Sequence, residues 1–593
     1  MNPFFQELQY VCQPVPLLLL MLGTALGVIV GAIPGLTGAM LIALTLPLTF
    51  GMAEKEALIL LVSMYVGSIS GGLVTATLMR MPGTPASIMT TLDGYPMAKK
   101  GKPGRALGLG VSASFIGGMV SFVFLVLLAR PMADISVQLG FFDLFSLVLM
   151  ALVLIASVSG ESLLKGILSG FLGMLVTIPG TSPATGQLRW TFGLTELSDG
   201  FSLLPVLIGL FAVNQILWDI LHIDEKGEQI GISAFRGMFL KLNDWKRHSV
   251  NMLRSSLIGT WIGILPGIGA NIASVLAYTA ARGASKQAAE FGHGSEEGIV
   301  ASEAANNATV GGALVPLISL GIPGSVIDAI LLGALIIHGL QPGPLLFQER
   351  PDIVYVIMAA FLVANFFMFV FMMMSLRCLP FLLDAIPEFV LSAILCGFLA
   401  LVFVVFGRFQ WNADWITSDE PFFLGIPVGI VASFLSLFTT LFGKFDVWVI
   451  LIMADITLFV FLFRRQLKPF LQFMTRHTDV RRELLFPVLL CFCVIGSYAL
   501  ANRMFDVWVM LAFGLIGFAM ERWKFPLAPF VIGLVLAPLA EKYLCAGLMK
   551  SNGSYWPIVT EPVSLVFFLI SLAILFWSLW RTIRKPTSTE SQG

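Results

Sequence analysis

Long apolar blocks alternate with short polar connectors along the chain. Blocks such as Ala106–Ala129, Phe201–Leu221, Ile353–Ser375 and Pro562–Trp580 are apolar almost throughout. Each approaches the roughly 20 residues that a helix needs to cross a bilayer, where the backbone must hydrogen-bond to itself. By that length criterion, on the order of a dozen or more blocks read as spans. The pattern predicts an all-α fold, a polytopic transmembrane helical bundle embedded in a lipid bilayer.

Some blocks are interrupted. An apolar run from Val15 to Ile33 breaks at Pro34-Gly35 and resumes from Ala39 to Phe50. The block Ala57–Met79 is followed by a second break, Pro82-Gly83-Thr84-Pro85, and by a basic loop with Lys99, Lys100, Lys102 and Arg105. The second half repeats this opening. GAIPGLTG (Gly31–Gly38) is echoed by GILPGIGA (Gly263–Ala270), and SGGLVTATLMRMPGT (Ser70–Thr84) by VGGALVPLISLGIPGS (Val310–Ser325). Gly101…Pro103-Gly104 is then echoed by Gly339…Pro342-Gly343. Three echoes in the same order predict a duplication containing broken or re-entrant helices. The expected organisation is a first transmembrane repeat over 1–221, a cytoplasmic linker over 222–253 and a second repeat over 254–379. An extra transmembrane segment over 380–482 and C-terminal helices over 483–593 follow. Phe445–Phe461 and Phe505–Met520 share the opening FDVWV, which predicts a small tandem duplication there.

Charge placement predicts how the repeats face. The first ten residues, MNPFFQELQY, hold no Lys or Arg and no basic region of a cleaved leader, so the N-terminus is expected outside. The Lys99–Arg105 loop and the linker with Lys226, Arg236, Lys241, Lys246 and Arg247 are expected in the cytoplasm. Both hold only if Val15–Phe50 enters and returns as a broken hairpin. Copy one then starts outside and copy two inside, which makes two inverted repeats.

Composition sharpens this picture. The chain is 57% hydrophobic and 12% charged, too few charges to cover a soluble protein of this size. The net charge of +0 predicts no nucleic-acid partner. The 6 Cys lie mostly in apolar blocks and read as packing residues, and the 5 His are scattered with no metal-binding spacing. No Walker A motif, catalytic triad order or metal cluster is present, so neither an enzyme nor an ATP-driven pump is expected, and no cofactor.

The breaks carry the candidate chemistry. A break frees backbone groups that must be buried in protein or line a wet cavity. Half-helix N-termini suit carboxylates, and half-helix carbonyl ends suit a cation such as Na⁺. Taken singly, each break reads equally well as a kink or a close helix contact. Thr37, Thr84 and Ser325 put hydroxyls beside breaks, and Asn271 follows Pro266-Gly267. Glu303, Asn306 and Asn307 lie at i, i+3 and i+4 and share a helix face. The competing readings put Glu303 on the surface and make the Asn pair a helix-joining device. Asp455, inside an apolar run, reads as a packing or water-facing residue, with a proton-carrying group as the competing reading.

GAIPGLTG, the GG…MPGTPAS segment with DGYPMAKKGKPGRALG, EAANNATVGGALVPLISLGIPGS and FDVWVMLAFG…FPLAPFVIGLVLAPLAE together resemble the large membrane subunit of the tripartite tricarboxylate transporter family, the TctA family. The resemblance covers nearly the whole chain, with the region from about Pro380 to Arg482 longer than the family pattern. It implies a multi-pass secondary transporter of the bacterial inner membrane. It implies import of a tri- or dicarboxylate driven by a Na⁺ or H⁺ gradient, with two partners: a periplasmic solute-binding protein and a small four-span membrane subunit. The motif positions it carries over as candidate substrate or ion contacts are Gly31, Pro34, Gly35, Thr37 and Gly38, then Pro266, Gly267 and Asn271, and then Asn306, Asn307, Pro323, Gly324 and Ser325. A Na⁺ site at the broken helices is part of that expectation. A channel-like or exporter protein without ion coupling, or a membrane scaffold, is the alternative.

Overall fold

The computed structural model describes residues 3–33, 36–80, 83–158, 163–182, 185–221, 237–265, 269–382, 490, 493–494, 496–498 and 503–584. All of them belong to one compact unit. Pro34, Gly35, Pro266, Gly267, the linker residues 222–236, the Phe445–Phe461 copy and Asp455 lie outside the described residues.

The unit is almost wholly helical, with one short antiparallel strand pair, Gly180–Thr181 with Leu188–Arg189. Its first helices are α1 (Pro3–Val11), α2 (Pro14–Gly31), α3 (Gly38–Thr49), α4 (Glu54–Leu78), α5 (Ile88–Lys99) and α6 (Pro103–Gln138). Then come α7 (Phe141–Val158), α8 (Leu163–Val176), α9 (Leu203–Ile208) and α10 (Asn214–Leu221), the last two joined by a π turn. The second half opens with α11 (Leu242–Ile264), α12 (Gly269–Ala284), α13 (Glu296–Leu320), α14 (Val326–Ile337), α15 (Pro344–Glu349) and α16 (Pro351–Leu382). The C-terminal part has α17 (Met504–Arg522), α18 (Leu527–Lys550), α19 (Pro557–Thr560) and α20 (Pro562–Arg584).

Among the described residues, 6 helices are long and apolar enough to cross a membrane: α2, α4, α6, α16 to Ser375, α17 and α18. α3, α5 and α14 have 12 residues each. A helix of that length rises about 18 Å, short of the ~30 Å hydrocarbon core, so each is a half-span. α11 begins well inside the expected linker because its first turns are polar, and α16 runs past the expected boundary at 379.

The order of elements recurs. α2, α3, α4 and α5 in the first half match α11, α12, α13 and α14 in the second, and α4 and α13 both have 25 residues. Glycine contacts fix the register. Side chains at Gly27 or Gly31 of α2 would strike the Met64 and Ser68 carbonyls of α4. Side chains at Gly259 or Gly263 of α11 would strike the Ala305 and Thr309 carbonyls of α13. Gly71 likewise packs on the Val28 carbonyl and Gly312 on the Thr260 carbonyl. Gly71 therefore corresponds to Gly312, one residue off the match of double glycine to double glycine. The second glycines do different work: Gly72 makes room for Thr84 and Ser87, whereas Gly311 makes room for Ser121 and Phe361.

Two charged clusters mark opposite ends of the duplicated region. In the first, Arg105 binds Asp244 through two nitrogens, at 2.9 and 2.8 Å, and Glu296 at 2.9 and 3.1 Å, and His248 Nε2 lies 3.2 Å from Glu296. The basic loop and the start of α11 thus lie together. The Arg105 guanidinium and the Lys241 N–H hold the Asp244 carboxyl down at about 2, and His248 and Arg105 hold Glu296 at about 2. Nearby, buried Asp93 accepts from the N–H groups of Gly292, Gly294 and Ser295 at 2.8–2.9 Å and from the Tyr278 hydroxyl at 2.8 Å. This ties α5 to the loop before α13. In the second cluster Lys55 pairs with Glu7 at 2.8 Å and Asp352 at 3.3 Å, and Arg350 pairs with Glu54 and Asp352.

Candidate functional site

In each copy the helix before the first break ends against the second break. Gly83 packs on the carbonyl of Gly31, at the end of α2, and Gly324 packs on the carbonyl of Gly263, near the end of α11. A side chain at either glycine would separate them. Gly31, Gly324 and Pro323 are buried.

The half-helix N-termini then meet crosswise between the copies. α3 starts at Thr37, whose hydroxyl accepts from the Met40 N–H at 3.1 Å. α14 starts at Ser325, whose hydroxyl accepts from the Asp328 N–H at 3.3 Å. The two starts touch, because Gly38 is open to Ser68 and to Ile327. Tyr65 of α4 closes this meeting point, its hydroxyl 3.2 Å from Ser325 Oγ and 3.4 Å from Asp328 Oδ2. Asp328 is fully buried and its Oδ1 has no partner among the described residues.

The other meeting point joins α5 of the first copy to α12 of the second. The 3₁₀ turn Pro85–Ser87 leads into α5 and packs against α12 and α13. Thr90 Oγ1 lies 3.2 Å from Ser302 Oγ, and Ser274 of α12 donates to the Ser302 carbonyl at 3.3 Å. Asn306 is one turn beyond Ser302 and shares the face that carries Ala313, which packs against Gly324. In the glycine register Asn306 takes the place of Tyr65, and Thr84 and Ser87 take the places of Ser325 and Asp328. Asn306 is 0% exposed, yet neither its amide oxygen nor its amide nitrogen has a partner among the described residues. Unpaired buried amides are costly, on the order of 1–3 kcal/mol, and rare in folded proteins.

Asn307 is different. Its Oδ1 accepts from Ser70 at 2.6 Å, and its Nδ2 donates to Ser114 at 2.8 Å and to the Glu303 carbonyl at 3.2 Å. It joins α4, α6 and α13 and has no free group to offer. Glu303 is 0% exposed, not on the surface; Thr90 donates to it at 2.5 Å and Ser114 at 3.2 Å. Asn271 is exposed and stands apart from this network; Ser274, one turn on, is the α12 residue that reaches it.

The sequence reading missed Ser70, Tyr65, Thr90, Ser114 and Asp328 as partners. Asp328 was legible, since Ser325-x-x-Asp328 is a capping pattern. The others are single polar residues in apolar helices, and nothing local marks them.

Residues 17–416 and 422–532 match the Tripartite tricarboxylate transporter TctA family. The chain belongs to this family. It is the membrane component of a transporter, crossing the membrane several times. An uncharacterized 52.8 kDa protein in the TAR-I ttuC′ 3′ region of Agrobacterium vitis is 28% identical over 572 residues, spanning 96% of this chain and 95% of the relative. An uncharacterized protein in the TAR-II ttuC′ 3′ region of the same organism is 24% identical over 327 residues, 55% of this chain and 96% of the relative. No solved structure matches. The first relative aligns nearly end to end, yet this 64.4 kDa chain is about 12 kDa heavier, so its surplus is internal. The family match is itself interrupted at 417–421, between its two stretches.

Proposed function

We propose that this TctA-family protein is the large subunit of a binding-protein-dependent secondary transporter. It imports a tri- or dicarboxylate across the bacterial inner membrane, coupled to a Na⁺ or H⁺ gradient. A small four-span membrane subunit and a periplasmic binding protein are its partners. The observation that carries this reading is the crosswise meeting of half-helix N-termini beside Asn306, a buried amide with no partner among the described residues. N-terminal half-helix ends attract carboxylates, and a buried amide can donate to one. Pro34, Gly35, Pro266 and Gly267 belong to the same proposed site by sequence.

Inversion of the two copies is part of the proposal. Its support is the antiparallel order of contacts between α4 and α13: Tyr65 meets Ser325, Ser70 meets Asn307, and Thr90, beyond α4, meets Ser302. The run from α4 to α5 starts at the Lys55 cluster and ends near the Arg105 cluster. The run from α13 to α14 starts at the Arg105 cluster and ends at His338, whose Nε2 lies 3.3 Å from Thr49 near the start of α4.

Reconstitution with both partners tests the reading. Labelled citrate and succinate should accumulate when a Na⁺ or H⁺ gradient is imposed. Flux that persists at equal rate with both gradients collapsed would make the protein channel-like instead.

A further inference from the structure

Three carboxylates lie buried where the two copies meet, and their surroundings differ. Asp93 is held by three backbone N–H groups and a tyrosine hydroxyl. Asp328 sits in the first turn of α14, where Ser325 caps its N–H and Tyr65 reaches one carboxylate oxygen, the other having no partner among the described residues. Glu303 has neither kind of support. It lies in the middle of α13, fully buried, with the hydroxyls of Thr90 and Ser114 the only partners of its two oxygens among the described residues.

No ionised side chain faces it from the elements packed against α13, among the described residues. α4 brings Tyr65, which turns to Ser325 and Asp328. α5 brings Asp93, bound to the loop before α13. α6 brings Arg105, and α11 brings Asp244 and His248, all engaged in the cluster at Glu296; Arg254 of α11 is bound to Asn251. α12 brings Tyr278, which donates to Asp93, and exposed Arg282. α14 brings Asp328, and α15 brings only exposed Glu349. A carboxylate out of water with no counter-charge takes up a proton rather than pay the full desolvation penalty. Inside a membrane bundle such a group marks an ion pathway.

We propose that Glu303 is the proton-carrying group of this transporter, so that the coupling ion is H⁺. This rests on the carrier reading given above. When the site opens outward, Glu303 binds one proton and becomes a neutral acid, its new O–H donating within the Thr90–Ser114 pocket. When the site opens inward, the O–H bond breaks and the proton leaves to the cytoplasm. Thr90 and Ser114 come from the first copy and Glu303 from the second, so any shift of one copy against the other alters the pocket. Ser114 also accepts from Asn307, the residue next to Asn306, which links the state of Glu303 to the proposed substrate site.

Infrared difference spectroscopy of the full-length protein in lipid reads the proton directly and needs no substrate. The wild type should show a carboxylic-acid C=O band that titrates between about pH 5 and pH 9, as buried Glu can. Glu303→Gln should remove this band, and Asp328→Asn should leave it. In vesicles holding the protein with its two partners, Glu303→Gln should lose citrate accumulation driven by a pH gradient at least tenfold while keeping citrate exchange across the membrane. A band that survives Glu303→Gln, or pH-driven accumulation that survives it, overturns the proposal. Wild-type vesicles that neither accumulate nor exchange any acid would instead sink the carrier reading, with the infrared result still deciding whether Glu303 holds a proton.

Discussion

Asn306 and Asn307 are neighbours of one residue type, and their surroundings give them separate tasks. Asn307 spends its whole amide on Ser70, Ser114 and the Glu303 carbonyl, whereas Asn306 spends none on the described residues. Asn307→Ala should therefore act on folding. It removes the hydrogen bonds that join α4 and α6 to α13, each worth about 0.5–1.5 kcal/mol, and should lower the thermal unfolding temperature in detergent. Asn306→Ala should leave that temperature unchanged or raise it slightly, while lowering carboxylate uptake tenfold or more. A hydrogen bond to a charged group is worth about 1.5–3 kcal/mol, which sets that scale. Equal uptake in Asn306→Ala and wild type would remove Asn306 from the substrate site. From the sequence the two looked alike, because i, i+3 and i+4 spacing fixes a face but not what the face meets.

At the scale of elements, the helix pairs α2–α4 and α11–α13 hold the breaks in place. Both pairs approach through glycines that sit on carbonyls of the neighbouring helix. Small residues at such contacts let backbones pack closely, which replaces the hydrophobic drive that lipid does not supply. Gly263→Val should separate α11 from α13 and push Gly324 off the Gly263 carbonyl. Overpacking of this kind typically costs about 1–3 kcal/mol, so we expect reduced folded yield by fluorescence-detected gel filtration. Gly31→Val should do the same in the first copy. Gly283→Val serves as the control, because its position is open space, and it should behave as wild type. The Arg105 cluster adds a second constraint on these elements. Its two carboxyls are held at about 2, so its contribution is complete above about pH 4 and is lost only as the pH falls through that lower value.

For the whole molecule, the inverted arrangement makes a directional prediction. In a background without cysteine, Phe50→Cys and Gln341→Cys should react with an impermeant maleimide added outside intact cells. Lys99→Cys and His293→Cys should react only after the membrane is opened. All four positions are exposed in the structure. Labelling of Phe50→Cys and His293→Cys, which occupy corresponding places in the two copies, from the same side would rule out the inversion. Length also matters at this scale, since the chain is heavier than its 52.8 kDa relative although both align almost completely.

The sequence alone determined the medium and the punctuation. Apolar blocks near 20 residues long have no stable place except a membrane, and Pro-Gly pairs inside them must free backbone groups. Both follow from local chemistry, so the all-helical fold, the family and the position of every break were legible. The tertiary structure alone decided which breaks meet, which glycine answers which, and which buried polar group is left without a partner. Those depend on contacts between residues hundreds of positions apart, such as Tyr65 with Ser325 and Ser70 with Asn307. No periodicity carries such pairings, because a polar residue inside an apolar helix looks the same whether its partner is present or absent.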